Sequence, residues 1–142
     1  MANIIPNSMK YDVAGGRIDL DTDTFGIILV TSAYTMNPDT HSKRSDVTNE
    51  VANGGGYTTG GKTLTGVTLT QNNTNDRADW DANDPSWPTS TITARGAVIF
   101  KSRGGAASAD ELVVYLDFGS DIVSTNGTFS VAFDPVAILS LA

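Results

Sequence analysis

The sequence predicts an all-β domain: an antiparallel β-sandwich, jelly-roll-like, with one short helical insertion. Three observations lead there. Thr, Ser, Asn, Gly and Val are abundant while Leu, Lys and Glu are few, a composition that disfavours helix nearly everywhere. About seven or eight short apolar or alternating runs are separated by clusters of turn formers. The chain has 142 residues and no cysteine, so one domain must bury its core without disulfides or thiolate metal sites.

Residues 1–9 read as an N-terminal arm and 10–142 as the sandwich. Ile4 and Ile5 make the arm weakly apolar, and Pro6 suits an extended arm or an edge strand. Residues 9–13 and 17–20 flank Gly15-Gly16 and predict a hairpin with a glycine turn. Asp19, Asp21 and Asp23 resemble the start of a calcium loop, but no glycine or glutamate follows at the required spacing. A turn whose side chains bond their own backbone is expected instead. Residues 25–31, FGIILVT, predict a strand buried on both faces. The chain then leaves the sheet over residues 32–38, where Tyr34 and Met36 either pack as a lid or meet a partner.

The stretch 39–70 is where the period changes. Ser45 and Asp46 suit a helix start, and Val47 and Val51 share one helical face, so the helical insertion is expected here. Asn53 and three glycines end it, and from Leu64 the period becomes two. Gly56 through Thr63 match the phosphate-loop pattern G-x-x-x-x-G-K-[ST]. That loop needs a strand before it and a helix after it, and the order here is reversed. Gly56, Gly60 and Gly61 therefore read as structural turn residues.

Residues 71–90 are too rich in Asn, Asp and Pro for a central strand. They hold both tryptophans, Trp80 and Trp87, each either a plug pinning a loop to the core or an anchor for a partner. Residues 91–102 are the clearest strand of the second half. Ile92, Ala94, Gly96, Val98 and Phe100 are expected on one face, with Arg95, Ala97 and Ile99 on the other. Residues 111–118 form its antiparallel mate, 119–127 a turn-rich connection, 128–133 a half-buried strand and 136–141 a last strand. Arg95 needs a carboxylate, from Asp46, Glu50 or Asp117, and a structural ion pair or subunit contact is expected.

Catalysis has little to stand on. The one histidine, His41, has Ser42, Ser45, Asp39 and Asp46 nearby, too close in sequence to reach triad geometry easily. No catalytic residue, cofactor or metal site is expected. A formal net charge of −7 argues against nucleic-acid binding, which needs a basic footprint. No apolar run nears the roughly twenty residues that cross a bilayer, and the first ten residues lack a signal-peptide pattern.

Several stretches carry a resemblance: His41 with Ser45 to Val51; Gly56 to Leu64; Trp87 with Thr91 to Ile99; and Leu116-Asp117-Phe118-Gly119 with Gly127-Thr128-Phe129. From about Lys10 onward the chain resembles small structural virion proteins of tailed bacteriophages, some of them of the capsid cement or decoration type. The resemblance implies β-sandwich subunits assembled as a symmetric homo-oligomer, dimer or trimer, on the capsid exterior, with the major capsid protein as partner and no catalytic residues. Ile4, Ile5, Tyr34, Met36, Trp80 and Trp87 are the candidate contacts, with the arm and residues 32–44 expected to face the shell. The alternative is a receptor- or glycan-binding part of a fibre, spike or tail, with Trp80 and Trp87 forming the site.

Overall fold

A computed structural model describes all residues, 1–142. Strands take 45% of them and helices 10%, so the all-β class holds. The elements are β1 (Ala2–Ile4), α1 (Asn7–Ala14), β2 (Phe25–Val30), β3 (Lys62–Thr63), β4 (Thr68–Asn72), β5 (Arg77–Asp81), β6 (Ser86–Lys101), β7 (Leu112–Ser130) and β8 (Leu139–Leu141). They form two antiparallel sheets, ordered β1-β7-β6-β2-β3 and β4-β5-β8.

A large apolar cluster fills the space between the sheets. It joins Phe25, Ile27 and Leu29 of β2, Ala97 and Ile99 of β6 and Leu116 of β7 to Trp80 and Leu139 of the smaller sheet. A second cluster covers the other face of the larger sheet. Ile28, Val30, Val98, Phe100, Leu112 and Tyr115 lie there beneath Tyr34 and Met36. That is why FGIILV carries no polar side chain: both faces of β2 are roofed.

The helical insertion lies elsewhere than expected. Residues 44–46 make only one 3-10 turn, closed by Asp46, whose carboxylate accepts from the Ser42 and Lys43 backbone N–H groups. The α-helix is α1, at the place read as a hairpin. Its Met9 is fully buried, and Asn7 N–H donates to Pro38 O, so tertiary contacts override weak propensity. Gly15-Gly16 stops a helix instead of turning a hairpin: Gly15 N–H reaches Tyr11 O, and Gly16 takes φ +75°. Of the two readings of the N-terminal arm, the edge strand holds for its first part: β1 lies at the edge of the larger sheet, paired with β7 in the register Ala2 to Asp117 and Ile4 to Tyr115, while residues 7–9 belong to α1. The aspartate turn is as read, with Asp19 accepting from Asp21 and Thr22 and Asp23 accepting from Asp19.

Two further expectations are overturned. Residues 71–90 do hold a central strand, since β5 lies between β4 and β8; its Asn- and Asp-rich flank is the β4–β5 turn, with Asp76 at φ 52°. Residues 119–127 are not a separate connection but part of β7, which stays beside β6 from Leu112 to Ser130. The cause is an opening in the ladder. Ala94 pairs with Ile122 and Gly96 with Asp117, so Arg95 alone stands opposite residues 118–121. This bulge also shifts the side-chain alternation of β6. Ile92 and Ala94 face the main core, and beyond the bulge Ala97 and Ile99 take over that face, while Val98 and Phe100 turn to the second cluster.

The glycine-rich stretch 53–61 closes the free side of β2. Gly55 (φ +58°) and Gly56 (φ +87°) turn the chain so that Gly54 and Tyr57 exchange backbone hydrogen bonds. Tyr57, nearly fully buried, offers its hydroxyl oxygen to Leu29 N–H and donates its proton to Glu50 Oε2 at 2.6 Å. Leu29 N–H lies past the end of the two-residue β3 ladder, and the phenol stands in for the missing strand. Gly61, at φ +71°, lies so close to β2 that a Cβ there would run into the Ile27 carbonyl, whereas Gly60, at φ +95°, faces open space.

The two neighbouring glycines should therefore respond differently to substitution. Gly60→Ala is expected to cost about 1–2 kcal/mol for backbone conformation alone, and Gly61→Ala about 3 kcal/mol or more because β2 or β3 must also move. Urea denaturation of both variants checks this; equal losses would mean the close approach to Ile27 is unimportant.

Candidate functional site

The sequence-selected residues separate into two groups. Trp80 and Trp87 are interior plugs. Trp80 is fully buried, donates Nε1–H to Leu20 O at 2.8 Å and meets Phe25 edge-on at 4.9 Å between ring centres. Trp87 is 3% exposed, lies between Tyr57 and Phe129, and carries Lys62 Nζ 5.2 Å over its ring. Neither indole can meet a partner in this fold, which corrects their reading as contact residues. Ile5 packs half-buried against the main core. Gly56 and Gly61 abut Ser90 and Ile27 as turn residues, and Gly60 N–H donates to Glu50 Oε2.

Ile4, Tyr34, Met36, Arg95 and Asp117 come together. With Ser32, Thr35 and Tyr115 they line a cleft of about 240 Å³ on the roofed face of the larger sheet. β1 supplies Ile4, the segment after β2 supplies residues 32–36, and the β6–β7 opening supplies the polar floor. Arg95 Nε donates to Asp117 Oδ1 at 3.0 Å, and Gly119 N–H donates to the same oxygen at 2.8 Å. The Gly119 N–H, with Arg95 assisting, holds the Asp117 carboxyl below the usual carboxylate range against the opposing effect of burial. The pair is partly open, at 35% and 29% side-chain exposure, so its net worth is about 0–1 kcal/mol.

Tyr115 lies across Gly96, where a Cβ would stand 2.6 Å from its ring and 2.7 Å from its hydroxyl. Burial, with Asp117 nearby, pushes its phenol up from the ordinary value. The wall opposite is held by Tyr34, whose hydroxyl lies 2.9 Å from His41 Nδ1 with the two rings stacked; burial pushes this phenol up to about 12. Asn37 N–H donates to the same nitrogen at 3.3 Å, and the Tyr34 hydroxyl also lies 3.1 Å from Met36 Sδ. His41 thus braces the 32–36 segment. Its neighbour Asp46 is occupied by backbone N–H groups, and Ser42 Oγ reaches Asp46 at 3.5 Å, not His41.

Sequence reading missed Tyr115, Ser32 and Thr35. It also missed a buried acid pair just before β7. Asp110 is bonded by Arg44 Nε at 2.9 Å, and Glu111 by Arg103 at 2.6 Å with Lys43 at 3.5 Å, tying residues 43–46 to residues 103–111. Only the isolated DE pair within an apolar run hinted at it. The acids around Trp80 are likewise used internally: Asp79 accepts from Asn72 and Ser140, and Asp84 from Phe133 N–H. At the phosphate-loop pattern, the chain after Lys62 is a strand, and Lys62 Nζ donates to Ser86 O. No helix is long and apolar enough to cross a membrane. Comparison with protein-family models, with curated proteins and with solved structures finds no match.

The depressed carboxyls set an acid limit. For Glu111, burial raises the pKa, but Arg103 and Lys43 outweigh it and the net shift is downward; Asp46 and Asp117 are lowered mainly by backbone N–H donors. A folded pKa below the unfolded one gives stability that is complete above the unfolded value, about 4, and is lost as pH falls through the folded one. Urea midpoints should therefore hold steady from pH 7 to about 5 and fall below about 4. Glu111→Gln should be less stable at pH 7 and fall less steeply in acid; an acid limb as steep as the parent's would remove Glu111 from this account.

Proposed function

We propose that this protein is a capsid cement, or decoration, protein of a tailed bacteriophage, which binds the outer surface of the shell as a homo-oligomer and stabilises it by repeated contacts with the major capsid protein. The cleft between β1 and residues 32–36 is the contact face. The observation that carries this reading is the convergence in one place of accessible Ile4, Ser32, Thr35, Arg95 and Asp117, drawn from distant parts of the chain and held by Tyr34 and Met36, which pack beneath as buried support. The resemblance of the sequence to small virion proteins supports the same role. A rigid sandwich suits it, since a copy-rich surface protein gains from many modest contacts made at high effective concentration. Attachment by shape and adhesion asks for no bond-making group. A glycan-binding site built on Trp80 and Trp87 loses its platform, because both indoles are buried.

Titrating the purified protein onto empty shells of the major capsid protein should give saturable binding, a fixed number of copies per shell and a higher shell melting temperature. Thr35 is exposed at the rim of the cleft, so Thr35→Arg should weaken binding about tenfold or more while leaving the fold intact. No binding to shells, together with binding to cell-surface glycans, would overturn the proposal.

A further inference from the structure

The floor of the cleft carries a specific pattern of unused hydrogen-bonding groups. Tyr115 is 5% exposed, yet its hydroxyl, in the cleft, meets no protein partner. Arg95 spends Nε on Asp117, and its two terminal nitrogens donate to no protein atom. Asp117 uses Oδ1 twice, for Arg95 and Gly119, and leaves Oδ2 free to accept. The Tyr115 hydroxyl opens onto the cleft instead of being sealed behind protein, so a ligand atom of matching geometry can take the place of solvent on it. Gly96 keeps the space open, because any side chain there would collide with Tyr115.

These groups fix the chemistry of what fits. Donors from Arg95 and Tyr115 stand beside an acceptor on Asp117, and the two charges cancel. A carboxylate would meet Asp117 and a cation would meet Arg95. A sugar ring would find no aromatic face, since Tyr34 and Tyr115 are 4% and 5% exposed. A primary carboxamide has the matching arrangement: a carbonyl oxygen for the donors and an NH₂ for Asp117. Its aliphatic stem would lie against Ile4 and Met36. We propose that the cleft is a receptor for one carboxamide side chain, Asn or Gln, presented by the partner protein. This deepens the proposed function and rests on it for the partner's identity, but not for the pocket's chemistry.

The test uses the protein alone. Isotope-labelled protein is titrated with N-acetylglutamine methylamide, with the glutamate and lysine counterparts, and with methyl α-D-glucopyranoside, following the Arg95 side-chain Nε–H and the Gly96 and Gly119 amides by NMR. The glutamine probe should shift these signals saturably and bind at least fivefold more tightly than the other three. Tyr115→Phe, which keeps the ring over Gly96, should weaken it about fivefold or more with an unchanged spectrum elsewhere. Equal binding of all three amino-acid probes, preference for the sugar, no saturable shift, or indifference to Tyr115→Phe would each overturn the carboxamide assignment. Shell binding measured separately would then still stand or fall on its own.

Discussion

Of the four register shifts in the β6–β7 ladder, the fold depends most on the widest, where Arg95 alone faces residues 118–121. On one side of it, Gly96 to Phe100 and Leu112 to Leu116 are buried on both faces. On the other side, Ser90, Ile92, Ala94 and Ser124 face inward while Thr91, Thr93, Val123 and Thr125 face solvent. A bulge increases local twist and bends the strand that carries it. One hairpin can thereby serve as the centre of the larger sheet and then curve so that Trp87 and Phe129 complete the core shared with the smaller sheet. The same opening exposes the Arg95–Asp117 pair, so the break that shapes the sandwich also makes the cleft.

Charge is the second organising constraint. The chain has nine basic and sixteen acidic residues, and all five arginines sit on carboxylates: Arg17 on Asp12, Arg44 on Asp110, Arg77 on Asp79, Arg95 on Asp117 and Arg103 on Glu111. Two of those acids, Asp110 and Glu111, are almost fully buried at the start of β7, where an unpaired charge would be strongly destabilising. Their partners come from residues 43–44 and 103, so the ion pairs fasten the excursion that leaves β2 back onto the β6–β7 turn. With the guanidiniums so engaged, the surplus charge left on the surface is acidic.

The class and the strands of strong pattern were legible: FGIILVT, the run ending at Lys101, and the need of Arg95 for a carboxylate, of which Asp117 was one of three candidates. Their signals are local, being apolar runs and a lone charge in a strand. What escaped the sequence was decided by distant contacts. The helix at Asn7–Ala14 has one fully buried apolar side chain, Met9, and no side-chain cap, so its periodicity was too faint to compete with Gly15-Gly16 read as a hairpin turn. β5 is a central strand in spite of its polar flanks because β8 pairs with it and Trp80 is buried against Leu20 O and Phe25. The shift of face at Ala94 could not be read either. A bulge of four residues against one leaves no mark on β6, only Gly119 at φ +82° on β7. Of the cleft, Ile4, Tyr34, Met36, Arg95 and Asp117 were singled out individually, but their meeting depends on β1 pairing with β7 and on that unreadable bulge. Tyr115 gave no signal beyond its place in an apolar strand.

On the proposed reading of the cleft as a contact face, its neutrality is what would let an acidic protein be selective without being merely sticky. Surface charge acts at long range and sets which partners approach and how fast, and salt weakens it. It cannot tell one side chain from another at contact. Inside the cleft the Arg95 and Asp117 charges offset one another, so an approaching group gains or loses by whether its donors and acceptors match those at fixed positions. A mismatched group displaces solvent from the Tyr115 hydroxyl or the Asp117 Oδ2 without replacing its hydrogen bond, which costs more than a match gains. Discrimination then comes from geometry held by Gly96, by the Gly119 N–H and by the Tyr34–His41 brace, all of which belong to the fold before any partner arrives.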